Sequence, residues 1–198
     1  LTRAIAHCHK RGICHRDIKL QNVLLESSAP DAQIKLIDFG NSARFREICP
    51  MTKIVGTTYT IAPEVFKQCY DERCDVWSVG VVIFILLSGR RPFESTDVIH
   101  SNPQSRESSV IANVLMARYN FLHESWELIS EEAIHFIKNC LEPNYHVRDS
   151  IEEVSRHHWL SSNATEERSS KWHATGHSGE TVPLSIRGIS HAKASDLV

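Results

Sequence analysis

The chain has 198 residues, a formal net charge of -2 and 41% hydrophobic residues, enough for one buried core. A charge so close to neutral gives no basis for binding nucleic acid or a membrane surface. The six cysteines show no CxxC or other metal-ligand spacing, so we expect reduced thiols and a cytoplasmic protein, with the nucleus as the alternative.

The first elements are expected to be a helix end and a polar loop. Residues 1–10 have the character of a helix tail, and Gly12 is placed to stop it. The following run HRDIKLQN supplies a carboxylate, a lysine and an amide at Asp17, Lys19 and Asn22. Together with a second carboxylate further along, these are the groups that phosphoryl transfer needs, since that reaction depends on positioning and on neutralising negative charge.

A β-hairpin is predicted next. Residues 22–25 and 33–37 are short and β-rich, and the turn-forming stretch 26–31 separates them. Such a hairpin would bring Asn22 close to Asp38, the second carboxylate, in the sequence IDFG at 37–40.

The later elements are predicted to be mostly helical. The run VWSVGVVIFILL at 76–87 is apolar on nearly every side and shorter than the ~20 residues needed to cross a bilayer, so we expect a buried core helix with Asp75 capping its start. Residues 95–109 are polar and serine-rich and predict an exposed loop. Ser130, followed by two glutamates, predicts another helix start. The tail at 161–198 has little apolar periodicity, so we expect disorder there.

Five motifs stand in a fixed order, namely HRD, the asparagine five residues after its aspartate, DFG, APE at 62–64 and DVWSVG at 75–80. In this order they resemble the eukaryotic serine/threonine protein kinases over residues 1–160. The resemblance implies an α+β fold, specifically the mainly helical C-terminal lobe with a small β-hairpin, beginning inside the helix that precedes the catalytic loop.

The resemblance also implies roles for individual residues. Asp17 would act as the catalytic base and Lys19 would lend positive charge to the transferring phosphate of ATP. Asn22 and Asp38 would hold Mg²⁺, which takes only one or two protein oxygens in such sites. Leu24 would lie under the adenine ring, with an ordinary core leucine as the alternative interpretation.

The acceptor and the regulation are implied in the same way. Lys19 belongs to the serine/threonine pattern, and the Thr57 hydroxyl would bridge Asp17 and Lys19. A protein serine or threonine is therefore the expected acceptor. Arg16 could couple phosphorylation of the segment between Asp38 and Glu64 to its ordering, and the available hydroxyls there are Thr52, the better placed, and Ser42. In the alternative, Arg16 only packs and Thr52 is an ordinary loop residue.

Other residues are expected to support the site without reacting. By resemblance, His15 and Phe39 would pack the catalytic loop against DFG, and Asp75 would bond the loop backbone. Glu64 and Arg148 would form a buried ion pair. The sequence departs from the family pattern at Leu20 and Gln21, in the longer loop 143–147, and at His158.

Within the family, the runs at 88–93 and 110–141 look most like the calcium/calmodulin-dependent group. No EF-hand loop is present, so neither calmodulin nor a calcium sensor is evident as a partner in this chain.

The eight glycines form no GxGxxG loop, and Lys35 lies between HRD and DFG, where a solvated charge is expected. The N-terminal lobe with its phosphate-binding lysine is therefore expected to be absent from these residues, which by themselves should phosphorylate nothing efficiently. Two other functions remain open. A non-catalytic binding module or decoy is disfavoured by the intact motif residues, and a small-molecule phosphotransferase is disfavoured by the APE segment.

Overall fold

The computed structural model describes residues 1–29, 32–46, 48–94, 102–162 and 182–183. The described part is rich in helix, with small antiparallel strand pairs. The helices are α1 Thr2–His9, α2 Pro63–Phe66, α3 Arg73–Ser88, α4 Pro103–Leu115, α5 Glu131–Cys140, α6 Ile151–Ser155 and α7 His158–Ser162. The strands are β1 Ile13–Cys14, β2 Val23–Leu25, β3 Ile34–Leu36, β4 Ala43–Arg44 and β5 Val182–Pro183.

The core is built around α3, in which every residue from Cys74 to Leu86 is buried. A helix that is apolar all round must be covered on all sides, so the predicted core helix is confirmed. Helix α5 packs against α3, and α1 packs against α6. Gly80 allows the close approach of α5, because a Cβ atom there would lie 2.7 Å from the Cβ of Cys140. None of the described helices is both long and apolar enough to cross a bilayer.

Asp75 does not cap α3, and that prediction is wrong. The helix begins at Arg73, whose backbone N–H donates to the Asp71 side chain at 2.9 Å. Asp75 therefore lies inside the first turn, where its carboxylate accepts backbone N–H bonds from His15 and Arg16, each at 2.8 Å. The amides of the HRD loop occupy the carboxylate that was expected to cap the helix.

The exposed loop predicted at 95–109 is wrong from residue 103 onward, where α4 begins. The Asn102 side chain accepts a hydrogen bond from the Ser105 backbone N–H at 2.8 Å, and Pro103 occupies the first helical position. This start signal outweighs the low helix propensity of the serines. Residues 95–101 lie outside the described part.

The predicted hairpin is confirmed. Strands β2 and β3 pair antiparallel, with Val23 opposite Leu36 and Leu25 opposite Ile34. Strand β1 pairs with β4, and β5 pairs with the other edge of β2. The disordered tail stays a prediction, because apart from Val182–Pro183 the residues beyond 162 lie outside the described part.

The predicted end of α1 and the predicted start of α5 agree with the structure. Helix α1 ends at His9, and Gly12, with a φ of +68°, donates its backbone N–H to the His9 carbonyl at 2.8 Å. Ser130 caps α5 by accepting the Ala133 backbone N–H at 3.3 Å.

Candidate active site

The loop that contains Asp17 is anchored from below by Asp75. Besides the two loop amides, the buried Asp75 carboxylate bonds His9 Nε2 at 2.8 Å. Burial opposes ionisation of Asp75, but the bond and charge of His9 and the amides of His15 and Arg16 together hold its pKa below the usual value. An ionised, fully buried carboxylate therefore fixes the backbone directly before Asp17. The family resemblance implied this contact between Asp75 and the loop backbone.

Asp17 is buried, and three side chains converge on its carboxylate. The Thr57 hydroxyl donates to Oδ1 at 2.7 Å, while Lys19 Nζ and Asn41 Nδ2 donate to Oδ2 at 2.8 and 3.4 Å. Lys19 also donates to the Thr57 hydroxyl at 3.0 Å, so the predicted bridge is present. Burial raises the pKa of Asp17, but the bonds from Lys19, Thr57 and Asn41 and the lysine charge outweigh it, leaving a net lowering. Asp17 is held as a carboxylate.

Asn22 and Asp38 are brought together by the hairpin. The Asn22 side chain is buried, and its Nδ2 donates to the Asp17 carbonyl at 2.8 Å, which fixes the amide plane. The Ile37 backbone N–H donates to the Asn22 carbonyl at 2.9 Å, so Asp38 follows directly after this bond.

Asp38 itself is exposed, with a left-handed backbone at φ 63° and ψ 72°. Within the described part of the chain, its carboxylate accepts one bond, a long one from the Gly40 N–H at 3.3 Å. An oriented amide and an open carboxylate are hard oxygen donors, and this donor set fits Mg²⁺.

His15 and Phe39 connect the Asp17 loop to the DFG segment. Their rings lie edge to face with centroids 4.8 Å apart, and His15 Nε2 bonds the Ile37 carbonyl at 3.1 Å. His15 is fully buried, whereas Phe39 is 44% exposed. The expected packing of these two residues is confirmed.

Arg16 bonds the segment that follows Asp38. Its guanidinium donates to the carbonyls of Asn41 and Ser42 at 2.7 and 3.4 Å and to the Tyr70 hydroxyl at 3.2 Å. Thr52 is exposed, and none of the bonds recorded for Arg16 in the described residues goes to Thr52. The interpretation that Arg16 only packs against this segment therefore accounts for its side-chain hydrogen bonds within the described residues.

Leu24 and Lys35 lie opposite each other on β2 and β3. Leu24 is half-buried, and Lys35 is exposed and pairs with Glu26 at 2.9 Å. The expectation of a solvated charge at Lys35 is confirmed.

Glu64 and Arg148 form the predicted buried ion pair. Arg148 donates from both terminal nitrogens to the two Glu64 oxygens, and each residue is 2% exposed. The longer loop before Arg148 does not prevent this contact.

Asn41, Tyr70 and His9 take part in the site but carry no signal in the sequence. Asn41 follows DFG without belonging to the motif, and its amide reaches Asp17 from the end of the 3₁₀ turn Phe39–Asn41. Tyr70 lies 54 residues from Arg16, and His9 lies 66 residues from Asp75. Only the tertiary fold brings them to Arg16 and Asp75.

The family model described as the protein kinase domain matches residues 1–160. Calcium-dependent protein kinase 5 of Plasmodium falciparum (isolate 3D7) is 34% identical over 157 residues, which is 79% of this chain and 26% of the relative. Calcium-dependent protein kinase 8 of Oryza sativa subsp. japonica is 36% identical over 160 residues, 81% of this chain and 28% of the relative. CDPK-related kinase 3 of Arabidopsis thaliana is 37% identical over 156 residues, 79% and 25% respectively. The chain spans about a quarter of the length of these curated relatives.

Proposed function

Because the chain belongs to the protein kinase family, as its motifs predicted, we propose that residues 1–160 form the C-terminal lobe of a serine/threonine kinase domain. In this proposal the domain transfers the γ-phosphate of ATP to a protein hydroxyl. The observation that supports it is the Asp17 carboxylate, which three donors hold ionised within the HRD motif, where the resemblance implies the catalytic base.

Asp17 would accept the hydrogen bond, and then the proton, of the acceptor hydroxyl. A base must be ionised and accessible to one more donor, and a carboxylate offers about four lone-pair positions. Thr57, Lys19 and Asn41 together occupy part of that capacity. Lys19, 21% exposed, donates to Asp17 and Thr57 and would direct its third N–H toward the transferred phosphate.

Asn22 and Asp38 would hold Mg²⁺ through their side-chain oxygens. When bound, the ion would supply positive charge that offsets the negative charge of the phosphates. The bond from Asn22 Nδ2 to the Asp17 carbonyl leaves its amide oxygen as the metal donor. The half-buried Leu24 on β2 would form the floor under the adenine.

The Lys19–Thr57 bridge supports a serine or threonine acceptor within a protein. A small-molecule phosphotransferase would not need the segment from Thr57 to Glu64, which Arg148 ties to the helices. Among the regulatory possibilities, we propose Thr52 as the phosphorylation site, because it is exposed and lies in the segment that Arg16 helps to hold. Unchanged activity in Thr52→Ala would remove this site.

Residues 1–198 by themselves should turn over poorly, because the sequence contains no GxGxxG loop to cover the phosphates. The functional test therefore uses the complete protein that carries these residues. Asp17→Asn should lower kcat for a serine peptide by about 10² to 10⁴ while nucleotide binding persists. Asp38→Asn should abolish Mg²⁺-dependent nucleotide binding.

Glu26→Gln is the matched control, since Glu26 is an exposed carboxylate on the same hairpin. This variant should behave as the parent protein does. Mg²⁺-dependent nucleotide binding without any phosphorylation of protein would favour the binding-module alternative. The proposal would be overturned if the parent protein bound no nucleotide and neither aspartate substitution changed that result.

A further inference from the structure

Two buried thiols meet directly below the Asp17 loop. Cys14 is the last residue of β1, and Cys74 lies in the first turn of α3. Their sulfur atoms are 3.5 Å apart, although the residues are separated by 60 positions in the chain. Cys14 is 0% and Cys74 is 3% exposed. A disulfide bond is about 2.05 Å long, so the sulfurs need to approach by only about 1.5 Å.

We propose that Cys14 and Cys74 are a site of oxidative modification, at which a hydroperoxide converts the two thiols into an intramolecular disulfide. In the first step one thiol is oxidised to the sulfenic acid, the O–O bond breaks, and water or an alcohol leaves. In the second step the other sulfur attacks the sulfenic sulfur and displaces water. The two sulfurs lose two electrons in total, the peroxide gains them, and the two thiol protons end in the released products.

The residues around Cys14 and Cys74 limit the conditions under which the two thiols can be oxidised. The Cys14 thiol contacts Asp75 Oδ2 at 3.3 Å, and the same oxygen bonds His9 Nε2 at 2.8 Å. Burial raises the pKa of both thiols, so few thiolates exist while the loop is closed. Because both thiols are also shielded from solvent, the peroxide would reach them only when the chain opens locally, and refolding would return the second thiol to within reach.

The remaining cysteines differ from this pair. Cys49 and Cys69 are exposed, Cys8 is partly buried, and Cys140 is buried in α5 without a recorded bond to another thiol in the described residues. Simple accessibility would favour oxidation at Cys49 and Cys69. A linkage between Cys14 and Cys74 would therefore report the geometry of the folded chain.

A bond between these sulfurs would join the strand before the HRD loop to the core helix. It would also remove the Cys14 S–H that faces Asp75, the residue that holds the loop amides. The disulfide would thus act on the contacts that hold the Asp17 loop in place. Its formation does not depend on any transferase activity.

The test treats the folded 198-residue chain with hydrogen peroxide, blocks the remaining thiols, and maps crosslinked peptides by mass spectrometry without reduction. The expected result is a 14–74 linkage as the most abundant crosslink, which dithiothreitol reverses. The same treatment in urea provides the reference. In an unfolded chain, closure favours short loops, so the 8–14 and 69–74 pairs should dominate there.

Cys14→Ser and Cys74→Ser should each eliminate the linkage, and Cys140→Ser should retain it. The map of the parent chain requires no variant, so a variant that fails to fold does not weaken the test. Recovery of Cys14 and Cys74 as free thiols after Cys49 and Cys69 have been oxidised would overturn the proposal. A folded chain that gives the same crosslinks as the chain in urea would overturn it as well.

Discussion

Arg148 and Glu64 lie 84 residues apart and meet through two parallel hydrogen bonds, one of them 3.0 Å long. Arg148 also donates to the carbonyls of Glu142 and Arg73, and its guanidinium lies 5.1 Å from the centre of the Trp77 ring. A planar guanidinium suits this arrangement, because it can satisfy a carboxylate and two carbonyls at once. The pair fixes the segment containing Glu64 to the helical core.

Arg148→Met should destabilise the chain by about 3 to 5 kcal/mol, because Glu64 would remain buried without its partner. Urea unfolding of the parent and the variant measures this difference. Lys35→Ala is the matched control, since it breaks an ion pair whose side chains are 53% and 50% exposed. Exposed pairs contribute at most about 1 kcal/mol. If both substitutions lowered the free energy of unfolding equally, burial would not explain the contribution of the Arg148–Glu64 pair.

Thr57→Ala should raise the pKa of Asp17 toward its ordinary value. The variant removes one of the three donors to the carboxylate, and a hydrogen bond to a charged group, which favours the ionised form, contributes about 1.5 to 3 kcal/mol. A carbon-13 NMR titration of the aspartate side chains measures the change. In an active kinase protein, the same variant should lower kcat.

Two neighbouring variants test whether the hydroxyl itself is responsible. Thr57→Ser keeps the donor and should retain the low pKa of Asp17. Thr58→Ala removes a hydroxyl that bonds Glu107 at 2.7 Å instead, and should leave Asp17 unaffected. An Asp17 titration that is the same in Thr57→Ala as in the parent would contradict the assigned role of Thr57.

His157 should make the chain less stable as the pH falls below about 6.5. Its Nδ1 accepts the Trp159 backbone N–H at 3.2 Å, so the proton lies on Nε2, which donates to His135 Nδ1 at 2.8 Å. Burial, followed by the charge of His135 and a smaller effect of His158, lowers the pKa of His157 against an opposing effect of Asp149. The fold therefore favours the neutral ring.

The stability that comes from a neutral His157 is complete above the unfolded value of 6.5 and is lost as the pH falls toward the lower folded value. Urea unfolding at several pH values should show this loss, and His157→Gln should reduce it. His146→Gln, an exposed histidine outside the contact between α5 and α7, should keep the pH profile of the parent chain. If His157→Gln lost stability more steeply than the parent chain as the pH falls, the predicted sign of the effect would be wrong.

Gly80→Ala should destabilise the chain even though alanine favours helices. The added Cβ would lie 2.7 Å from Cys140 Cβ and 2.9 Å from Leu141 Cδ2. The gain in helix propensity is about 1 kcal/mol, whereas overpacking costs about 1 to 3 kcal/mol. The cost should prevail here, because the Cys140 Cβ is attached to backbone and cannot rotate away. A higher midpoint in thermal unfolding would show that α5 can move to make room.

The predictions from sequence were most accurate where the structure is local. The hairpin at 22–25 and 33–37 and the Ser130 cap depend on residues close together in the chain, and both were confirmed. The α4 start was missed because composition suggested a loop, while one asparagine and one proline at 102 and 103 decided the structure. In a prediction from sequence, a helix start of only two residues is easily outweighed by the composition of the residues around it.

Asp75 illustrates a limit of local reasoning within a single residue. Its position near the start of an apolar run suggested a cap, but two amides from the HRD loop compete for the same oxygens and bond them instead. Only the family resemblance implied the contact between Asp75 and the loop backbone, and the local pattern around Asp75 did not. The bond from the Asn41 amide to Asp17 was implied by neither.

The order and spacing of the motifs alone determined the family, the carboxylates at 17 and 38, and the helical core, because these depend on residue type and on periodicity along the chain. The tertiary structure alone decided that Asn41 joins the site, that His9 shares the Asp75 carboxylate with the loop amides, and that the thiols of Cys14 and Cys74 meet. Those outcomes depend on how buried polar groups far apart in sequence satisfy one another, and the competition among possible partners is settled only when the chain is packed.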